Sequence, residues 1–134
     1  MFAEDVFVFE GDSVSLNSDH TEMKDDDVIQ WRFKNTLIAE INKRADSITV
    51  YDDVLDGRFR DRLKLDKQTG SLTITNTTTE HEGVYDLQIN SEIKRFILAV
   101  IGEFKKVYTC FLMTFFLINS YNIFFVILYF IFLM

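Results

Sequence analysis

The stretch Val28-Ile29-Gln30-Trp31-Arg32-Phe33 decides the fold class, because apolar and polar side chains alternate along it without interruption. Successive side chains of a β-strand point to opposite faces, so this pattern predicts a strand with one buried face and one exposed face. The side chains predicted to be buried are Ile29, Trp31 and Phe33, and those predicted to be exposed are Gln30, Arg32 and Lys34.

Similar short runs recur from Glu4 to Ile101, separated by polar turns at the spacing typical of an all-β sandwich. β-branched and aromatic residues dominate them, and no helical period competes before Glu103. We therefore predict two packed antiparallel sheets. The further runs are Val6–Val8, Val14–Leu16, Leu37–Ile41, Ile48–Tyr51, Leu63–Leu65, Ser71–Thr75, Val84–Asn90 and Phe96–Val100.

Charge divides the chain into two parts. It carries 21 acidic and 14 basic side chains, all of them before Val107, whereas residues 107–134 hold ten of the twenty aromatic side chains and no charge. Such a run exceeds the ~18 residues that indicate a membrane-spanning helix. We predict a domain over residues 4–101, a juxtamembrane linker over 102–106 and an apolar transmembrane helix over 107–134.

Two alternatives stay open for this tail. A removable signal for lipid-anchor addition needs small residues, a polar spacer and ~10–20 apolar residues. Residues 123–134 could supply the apolar part, but the residues before them make a poor cleavage site. The tail could also be a gene-model artefact, since its Phe, Ile, Leu, Tyr and Asn content is what translated AT-rich non-coding sequence would give.

Composition argues against several classes of function. A pI of 4.7 without a basic stripe is unlike a nucleic-acid-binding protein. One cysteine, Cys110, forbids an internal disulfide and a Cys-rich zinc site, and no Gly-rich phosphate loop is present. The acidic run Asp25–Asp27 lacks the ligand spacing of a calcium loop, so we expect neither a metal nor another cofactor. With two histidines and no nucleophile–base pattern, we expect no enzyme and no small-molecule substrate.

The order of several short motifs resembles an immunoglobulin variable-type domain. Trp31 resembles its core tryptophan on strand C, and Gly83-Val84-Tyr85 resembles its tyrosine corner. Further stretches are similar to the V-set-like cell-surface proteins of bony fish, which are related to the signalling lymphocyte activation molecule and lymphocyte adhesion receptor group. The resemblance covers roughly Glu4 to Ile101. The other motifs and stretches are Gly11–Leu16, Asn35–Glu40, Gly57–Asp66 and Thr69–Ile74.

The chain departs from this resemblance at the usual inter-sheet disulfide. The corresponding positions are Ser18 and Leu87, so the resemblance implies a V-type sandwich without that bridge. The chain could be a decayed domain, or one of the lymphocyte adhesion receptor domains that lack the bridge. Loss of such a disulfide costs roughly 2–5 kcal/mol in small secreted domains. A buried Leu87 offsets part of it, whereas a buried Ser18 hydroxyl needs a hydrogen-bond partner.

A second departure is His81, which stands where the family usually has an aspartate. In the family that aspartate pairs with an arginine at the start of strand D, here Arg62. With a histidine the ion pair is absent or depends on pH. We therefore expect the end of the domain that carries His81 and Arg62, which we call the lower end, to be loosened.

The resemblance implies non-enzymatic recognition at a cell surface, as an adhesion molecule or immune-type receptor. The expected partner is another immunoglobulin-like protein, homophilic or heterophilic, held by the outward face of the front sheet. The alternatives are a merely solvated face, and a secreted or truncated module with an artefactual or removable tail. The expected ligand face is Gln30, Arg32, Lys34, Glu40, Asn42, Asp86, Gln88 and Asn90.

The same resemblance places the domain outside the cell membrane. Asn76-Thr77-Thr78 is the only N-x-[ST] acceptor in the sequence, so we expect a glycoprotein modified at Asn76, although a chance match stays open. No secretory signal peptide is visible in Met1–Asp5. We therefore expect the authentic amino terminus to lie upstream of this sequence.

Overall fold

A computed structural model of the chain describes residues 2–119 and 129–134 and divides it into two compact units, Met1–Ile101 and Gly102–Met134. The first unit is a sandwich of two β-sheets, as the alternating runs predict. Its strands are β1 Ala3–Phe9, β2 Val14–Leu16, β3 Val28–Phe33, β4 Thr36–Asn42, β5 Ser47–Val50, β6 Leu63–Leu65, β7 Leu72–Ile74, β8 Gly83–Ile89 and β9 Glu92–Ile101.

The two sheets differ in size. The larger has six strands in the order β1-β9-β8-β3-β4-β5, and the smaller has three in the order β2-β7-β6. Two short 3-10 turns, Leu55–Gly57 and Thr79–His81, lie in the connections before β6 and before β8. Each predicted run overlaps a strand, although the residues at the ends of three runs lie outside the strands, namely Tyr51, Ser71, Thr75 and Asn90.

The core lies between the sheets and is built largely from alternate residues of the strands, although β5 contributes no buried side chain. Trp31 and Phe33 of β3 are fully buried, and Ile29 beside them is as well. Trp31 packs against Phe96 of β9, with ring centroids 5.6 Å apart, and its indole N–H donates to the Gly70 carbonyl at 2.8 Å. The polar edge of the indole is thereby satisfied inside an apolar core.

One strand pair corrects the prediction of purely antiparallel sheets. β1 pairs with β9 in parallel, from Ala3 opposite Arg95 to Phe9 opposite Ile101. The other pairs in the described sheets are antiparallel. The prediction is wrong here because a period of two determines which face a side chain occupies and carries no information about strand direction.

The second unit contains α1, Glu103–Asn119, and residues 129–133 are also helical. The rings of Phe111 and Phe130 meet edge to face, with centroids 4.0 Å apart. Within residues 2–119 and 129–134, no helix combines the length and the apolar character needed to cross a membrane. The transmembrane segment over 107–134 stays a prediction, and its residues 120–128 lie outside the described part.

Candidate functional site

The outward face of the six-stranded sheet carries a compact group of polar side chains. Strand register places Gln30 of β3 between Glu40 of β4 and Gln88 of β8. It also places Arg32 opposite Asp86, and Asp86 opposite Arg95 of β9. We call this group the polar face; its members are Gln30, Arg32, Glu40, Asp86, Gln88 and Arg95.

Half of the polar face is a hydrogen-bonded chain across two strands. Arg32 donates from Nη2 to Gln30 Oε1 at 2.9 Å, and Gln30 donates from Nε2 to Glu40 Oε2 at 2.9 Å. Gln30 thus relays between a cation and an anion that do not touch directly. Such a relay orders three long side chains before any partner arrives, which lowers the entropy cost of binding.

Two of the other three members form a two-pronged ion pair, and the third, Gln88, donates from Nε2 to the Asn90 carbonyl at 3.1 Å. Arg95 donates from Nε to Asp86 Oδ1 at 2.8 Å and from Nη2 to Asp86 Oδ2 at 3.2 Å. The hydrogen bonds and charge of Asp86 raise the pKa of Arg95. The Asp86 side chain is only 16% exposed and that of Arg95 44%, so the arginine is the member of the pair that a partner can reach.

Five of the eight predicted ligand-face residues belong to this group, whereas three have other surroundings. Lys34 lies in the two-residue turn between β3 and β4, where Lys34 and Asn35 have φ values of 46° and 69°. Its Nζ sits 5.1 Å from the centroid of the Phe33 ring. Two positive φ angles in a two-residue turn are the geometry that matches the twist of a hairpin. Lys34 is therefore a turn residue and not part of the β3 surface.

Asn42 and Asn90 use their side chains to organise loops. Asn42 ends β4, and its Oδ1 accepts from the Ala45 N–H at 3.1 Å. Asn90 lies just beyond β8 with φ 53°; it donates from Nδ2 to Asp27 Oδ1 at 3.0 Å and accepts from the Val28 N–H at 3.1 Å. Both amides are engaged within the domain, so they are poorer candidates for contact with a partner.

An apolar stripe beside the polar face was missed by the sequence reasoning. Ile93 and Ile97 of β9 are 48% and 42% exposed, and Phe7 of β1 is 70% exposed. They lie on the same outward side as Arg95, since residues two apart on a strand share a face. The alternation along β9 was a signal that could have found them. We call Phe7, Ile93 and Ile97 the apolar stripe.

The positions of the missing disulfide are filled in different ways. Leu87 is 1% exposed and packs in the core, as predicted. Ser18 is 5% exposed, donates its hydroxyl to the Thr69 carbonyl at 2.6 Å and accepts from the His20 N–H at 3.1 Å. The buried hydroxyl therefore has the partners that its burial requires.

Lys94 connects the two sheets close to Ser18 and Leu87, the positions of the missing disulfide. Lys94 of β9 lies opposite Leu87, and its ammonium contacts Glu4 of β1 at 3.1 Å. The same ammonium contacts Asp19 and the Asn17 carbonyl, both just after β2 in the other sheet. Burial lowers the pKa of this ammonium, but its bonds to Asp19 and Glu4 outweigh that effect and leave the pKa above the ordinary value.

The lower end of the domain is well packed, contrary to the expected loosening. His81 is fully buried, and both of its ring nitrogens have hydrogen-bond partners, the Arg58 carbonyl and the Thr78 N–H. Arg62 donates from Nη1 to the Asn76 carbonyl. The histidine has replaced the expected ion pair by hydrogen bonds to main-chain groups.

Asn76, the predicted glycosylation site, lies two residues after β7 and is exposed, with φ 48°. The Thr78 hydroxyl of the same sequon accepts from the Glu80 N–H and caps the turn Thr79–His81. An exposed asparagine in a loop is compatible with an attached glycan. Modification at Asn76 stays a prediction.

No protein-family model matches the chain, and neither does any curated protein sequence. Solved structures do match. One is the CD2-binding domain of CD58, lymphocyte function-associated antigen 3, with a TM-score of 0.59 and 21% identity over 74% of this chain and 54% of that chain. The chain thus spans about half the length of that structure.

Two further matches cover more of the compared chain. The first immunoglobulin-like domain of human CD48 antigen gives a TM-score of 0.62 at 20% identity, over 75% of this chain and 84% of that chain. CD84, solved for insight into SLAM family function, gives 0.58 at 21% identity, over 76% of this chain and 100% of that one. The fold is that of an immunoglobulin variable-type domain.

The strand order supports this assignment. In a variable-type immunoglobulin domain two additional strands extend one of the two sheets, and here β4 and β5 extend the larger sheet beyond β3. Trp31 and Tyr85 occupy the core tryptophan and tyrosine-corner positions predicted for them, and Tyr85 donates its hydroxyl to the His81 carbonyl at 2.6 Å. The immunoglobulin-like domains that match are non-enzymatic, which is the class predicted for this chain.

Proposed function

We propose that this immunoglobulin domain binds another immunoglobulin-like cell-surface protein, homophilic or heterophilic, through the polar face and the apolar stripe. The observation that carries the proposal is the ordered network of Arg32, Gln30 and Glu40 beside the Arg95–Asp86 pair. These groups lie on the open side of the larger sheet.

The chemistry of the surface suits selective binding of modest strength. Arg32 and Arg95 alternate with Glu40 and Asp86 across four neighbouring strands, so the face is close to neutral yet strongly patterned. Patterned charge steers and discriminates between partners more than it tightens binding. The apolar stripe adds surface whose burial supplies affinity, as in the centre of most protein interfaces.

The matched structures give this proposal its partner class. One of them is a domain of CD58 described as binding CD2. By analogy with that domain, we propose that this chain acts as an immune-type receptor or adhesion ligand. Its immunoglobulin domain would lie outside the cell membrane. In this proposal residues 107–134 anchor the chain in the membrane.

Cell conjugation tests the binding face. Cells displaying the full chain behind a signal peptide would be mixed with cells displaying a second copy and with leukocytes, and conjugates would be counted. Arg32→Glu removes the cation from the relay and places a second carboxylate opposite Asp86, so we expect conjugates to fall about tenfold.

Lys64→Glu is the matched control. Lys64 is exposed on β6 of the other sheet, and its replacement changes charge by the same amount. We expect it to leave conjugation unchanged. If Arg32→Glu and Lys64→Glu changed the number of conjugates equally, the partner would bind elsewhere than at the polar face.

The alternative is a secreted or truncated binding module with an artefactual or removable tail. Extraction of membranes with alkaline carbonate separates the two possibilities. An anchored chain stays in the membrane pellet, whereas a secreted module appears in the medium or the supernatant. Loss of the pellet form on deletion of residues 107–134 would assign the anchoring to that segment.

A further inference from the structure

One buried imidazole ties together three segments at the lower end of the domain. His81 has no exposed surface; its Nε2 lies 2.6 Å from the Arg58 carbonyl, and its Nδ1 lies 2.9 Å from the Thr78 nitrogen. A main-chain N–H can only donate, so Nδ1 must accept and the proton of the neutral ring resides on Nε2. The neutral ring satisfies both partners at once.

The ring also supports its neighbours by packing. Its plane lies against Phe59, with centroids 5.1 Å apart, and Phe59 itself is fully buried against Phe33 at 5.2 Å. The main-chain carbonyl of His81 accepts the Tyr85 hydroxyl. The connection before β6, the turn before β8 and β8 itself therefore meet at this one residue.

Protonation of the ring conflicts with these contacts. A proton on Nδ1 would point at the Thr78 N–H, so that two donors would face each other beside a ring that has no exposed surface. The Thr78 hydroxyl, 3.5 Å from Nδ1, already accepts from the Glu80 N–H. The buried cation would also face Arg58 and Arg62. Of the charged groups acting on the ring, only Glu80 favours the charged form.

Burial and the two neighbouring cations act on the pKa of His81 in the same direction. Burial is the largest cause, followed in the same sense by the charges of Arg62 and Arg58, and together they hold the pKa of His81 below its ordinary value despite the bond to the Arg58 carbonyl. Glu82 is not among the groups that shift this pKa, and its Oε1 accepts from the Val100 N–H of β9 at 3.1 Å. On β8 the titratable neighbour is Tyr85, which is held neutral by burial.

We propose that His81 is an acid-sensitive latch, whose protonation at Nδ1 breaks the bond from Thr78 and opens the lower end of the domain while the two sheets stay folded. The opened segments are residues 55–62 and 78–82, which contain Phe59. The proton comes from solvent, and no bond other than hydrogen bonds changes. This proposal stands independently of the binding partner.

Hydrogen–deuterium exchange on the full chain in mild detergent tests the latch. Exchange at pH 7.4 and pH 5.0 would be compared after correction for the intrinsic pH dependence of amide exchange. We expect exchange in residues 55–62 and 78–82 to rise about tenfold or more at pH 5.0, because an open-state histidine with a pKa of about 6.5 binds the proton there. Peptides from β3 and β7 should change little.

The two histidines of the chain supply a matched pair of variants. His20→Gln should keep the acid response, since His20 lies outside the latch. His81→Asn keeps an acceptor for the Thr78 N–H but cannot be protonated, so its exchange should be the same at both pH values. A response that survives in His81→Asn overturns the proposal.

A measurement on the unsubstituted chain covers the case in which His81→Asn does not fold. The ring proton signals of the two histidines would be followed by NMR as pH falls. We expect the His81 signal to titrate below the ordinary histidine value of about 6.5. Titration of His81 at or above that value, or exchange that rises equally throughout both sheets, would overturn the latch.

Discussion

The Tyr85 hydroxyl and the His81 carbonyl are joined by a buried hydrogen bond of 2.6 Å, across four residues of the chain. This bond fixes the turn that leads into β8. Burial raises the pKa of Tyr85, so the hydroxyl stays protonated and able to donate throughout the physiological range. Ionisation of the hydroxyl itself therefore does not alter this contact, which ends on the main-chain carbonyl of the residue whose imidazole we propose to be acid-sensitive.

Tyr85→Phe removes only the hydroxyl. We expect the free energy of unfolding to fall by about 1–3 kcal/mol, because the His81 carbonyl is left buried without this donor. Urea unfolding followed by the fluorescence of Trp31 measures the change. Tyr51→Phe, at a half-buried tyrosine elsewhere in the domain, is the control and should stay within about 0.5 kcal/mol of the parent. Equal losses of unfolding free energy in the two variants would show that the Tyr85 hydroxyl stabilises the domain no more than the Tyr51 hydroxyl does.

Lys94→Met tests the contact between the sheets near the missing disulfide. Methionine keeps much of the aliphatic stem but loses the bonds to Glu4, Asp19 and the Asn17 carbonyl. These partners are half exposed or more, so we expect a loss of only about 1 kcal/mol at low salt, and less at 1 M salt because exposed ion pairs are screened.

The control for Lys94→Met is Lys64→Met, on an exposed position of β6. Its thermal midpoint should match that of the parent at both salt concentrations. A salt-independent loss in Lys94→Met would attribute the effect to the contact of the ammonium with the Phe96 ring, whose centroid lies 4.8 Å from Nζ.

Asn90→Gly tests the amide that links the β8–β9 turn to the segment before β3. Glycine tolerates the φ of 53°, so the change isolates the loss of the bonds to Asp27 and the Val28 N–H. We expect a loss of about 1–3 kcal/mol at pH 7, since a bond to an ionised carboxylate is among the stronger ones. Urea unfolding at several pH values measures it.

The same variant should show a defined dependence on pH. The hydrogen bond from Asn90, then that from the Lys24 N–H, lower the pKa of Asp27 in the folded domain. Such a carboxylate stabilises the fold above its unfolded pKa of about 3.8, and that contribution is lost as pH falls through the lower, folded pKa. The penalty of Asn90→Gly should therefore shrink between pH 5 and pH 3. Asn35→Gly, in the turn between β3 and β4 at φ 69°, should show no such trend.

The exposed Asn76 sequon predicts a glycan when the domain enters the secretory pathway. The full chain with an added signal peptide, expressed in vertebrate cells, should show a mass shift that an endoglycosidase removes. Asn76→Gln should abolish the shift. Absence of a shift in the parent chain would reduce the sequon to a chance match and leave the extracellular placement without this support.

Most of the fold follows from side-chain alternation. The pattern around Trp31 and the Gly83-Val84-Tyr85 motif suffices to predict β3, β8 and the core between them, because burial of alternate residues is a local property of each strand. Strand direction is not local, and for that reason the parallel pairing of β1 with β9 could not be predicted. The bonds of Ser18 and the lysine contact near it also depend on segments distant in sequence.

The candidate site was predictable where residues lie inside strands and not where strands end. Gln30 and Arg32 are on the predicted face, whereas Lys34 and Asn90 continue the same alternation in sequence but sit in turns with positive φ. Alternation alone does not show where a strand stops. Similarly, nothing in the sequence around His81 indicates that both ring nitrogens would be taken up by main-chain partners.

The parallel pairing of β1 and β9 has a mechanical consequence. Because Ala3 lies opposite Arg95 and Phe9 opposite Ile101, the first residue of β1 and the last residue of β9 are at opposite ends of the pair. A pull between these two ends loads the hydrogen bonds of the ladder together, in shear. In an antiparallel pair the two ends would lie side by side, and the bonds would break one after another. Tension applied between the two ends of the domain is therefore resisted by the whole β1–β9 ladder at once.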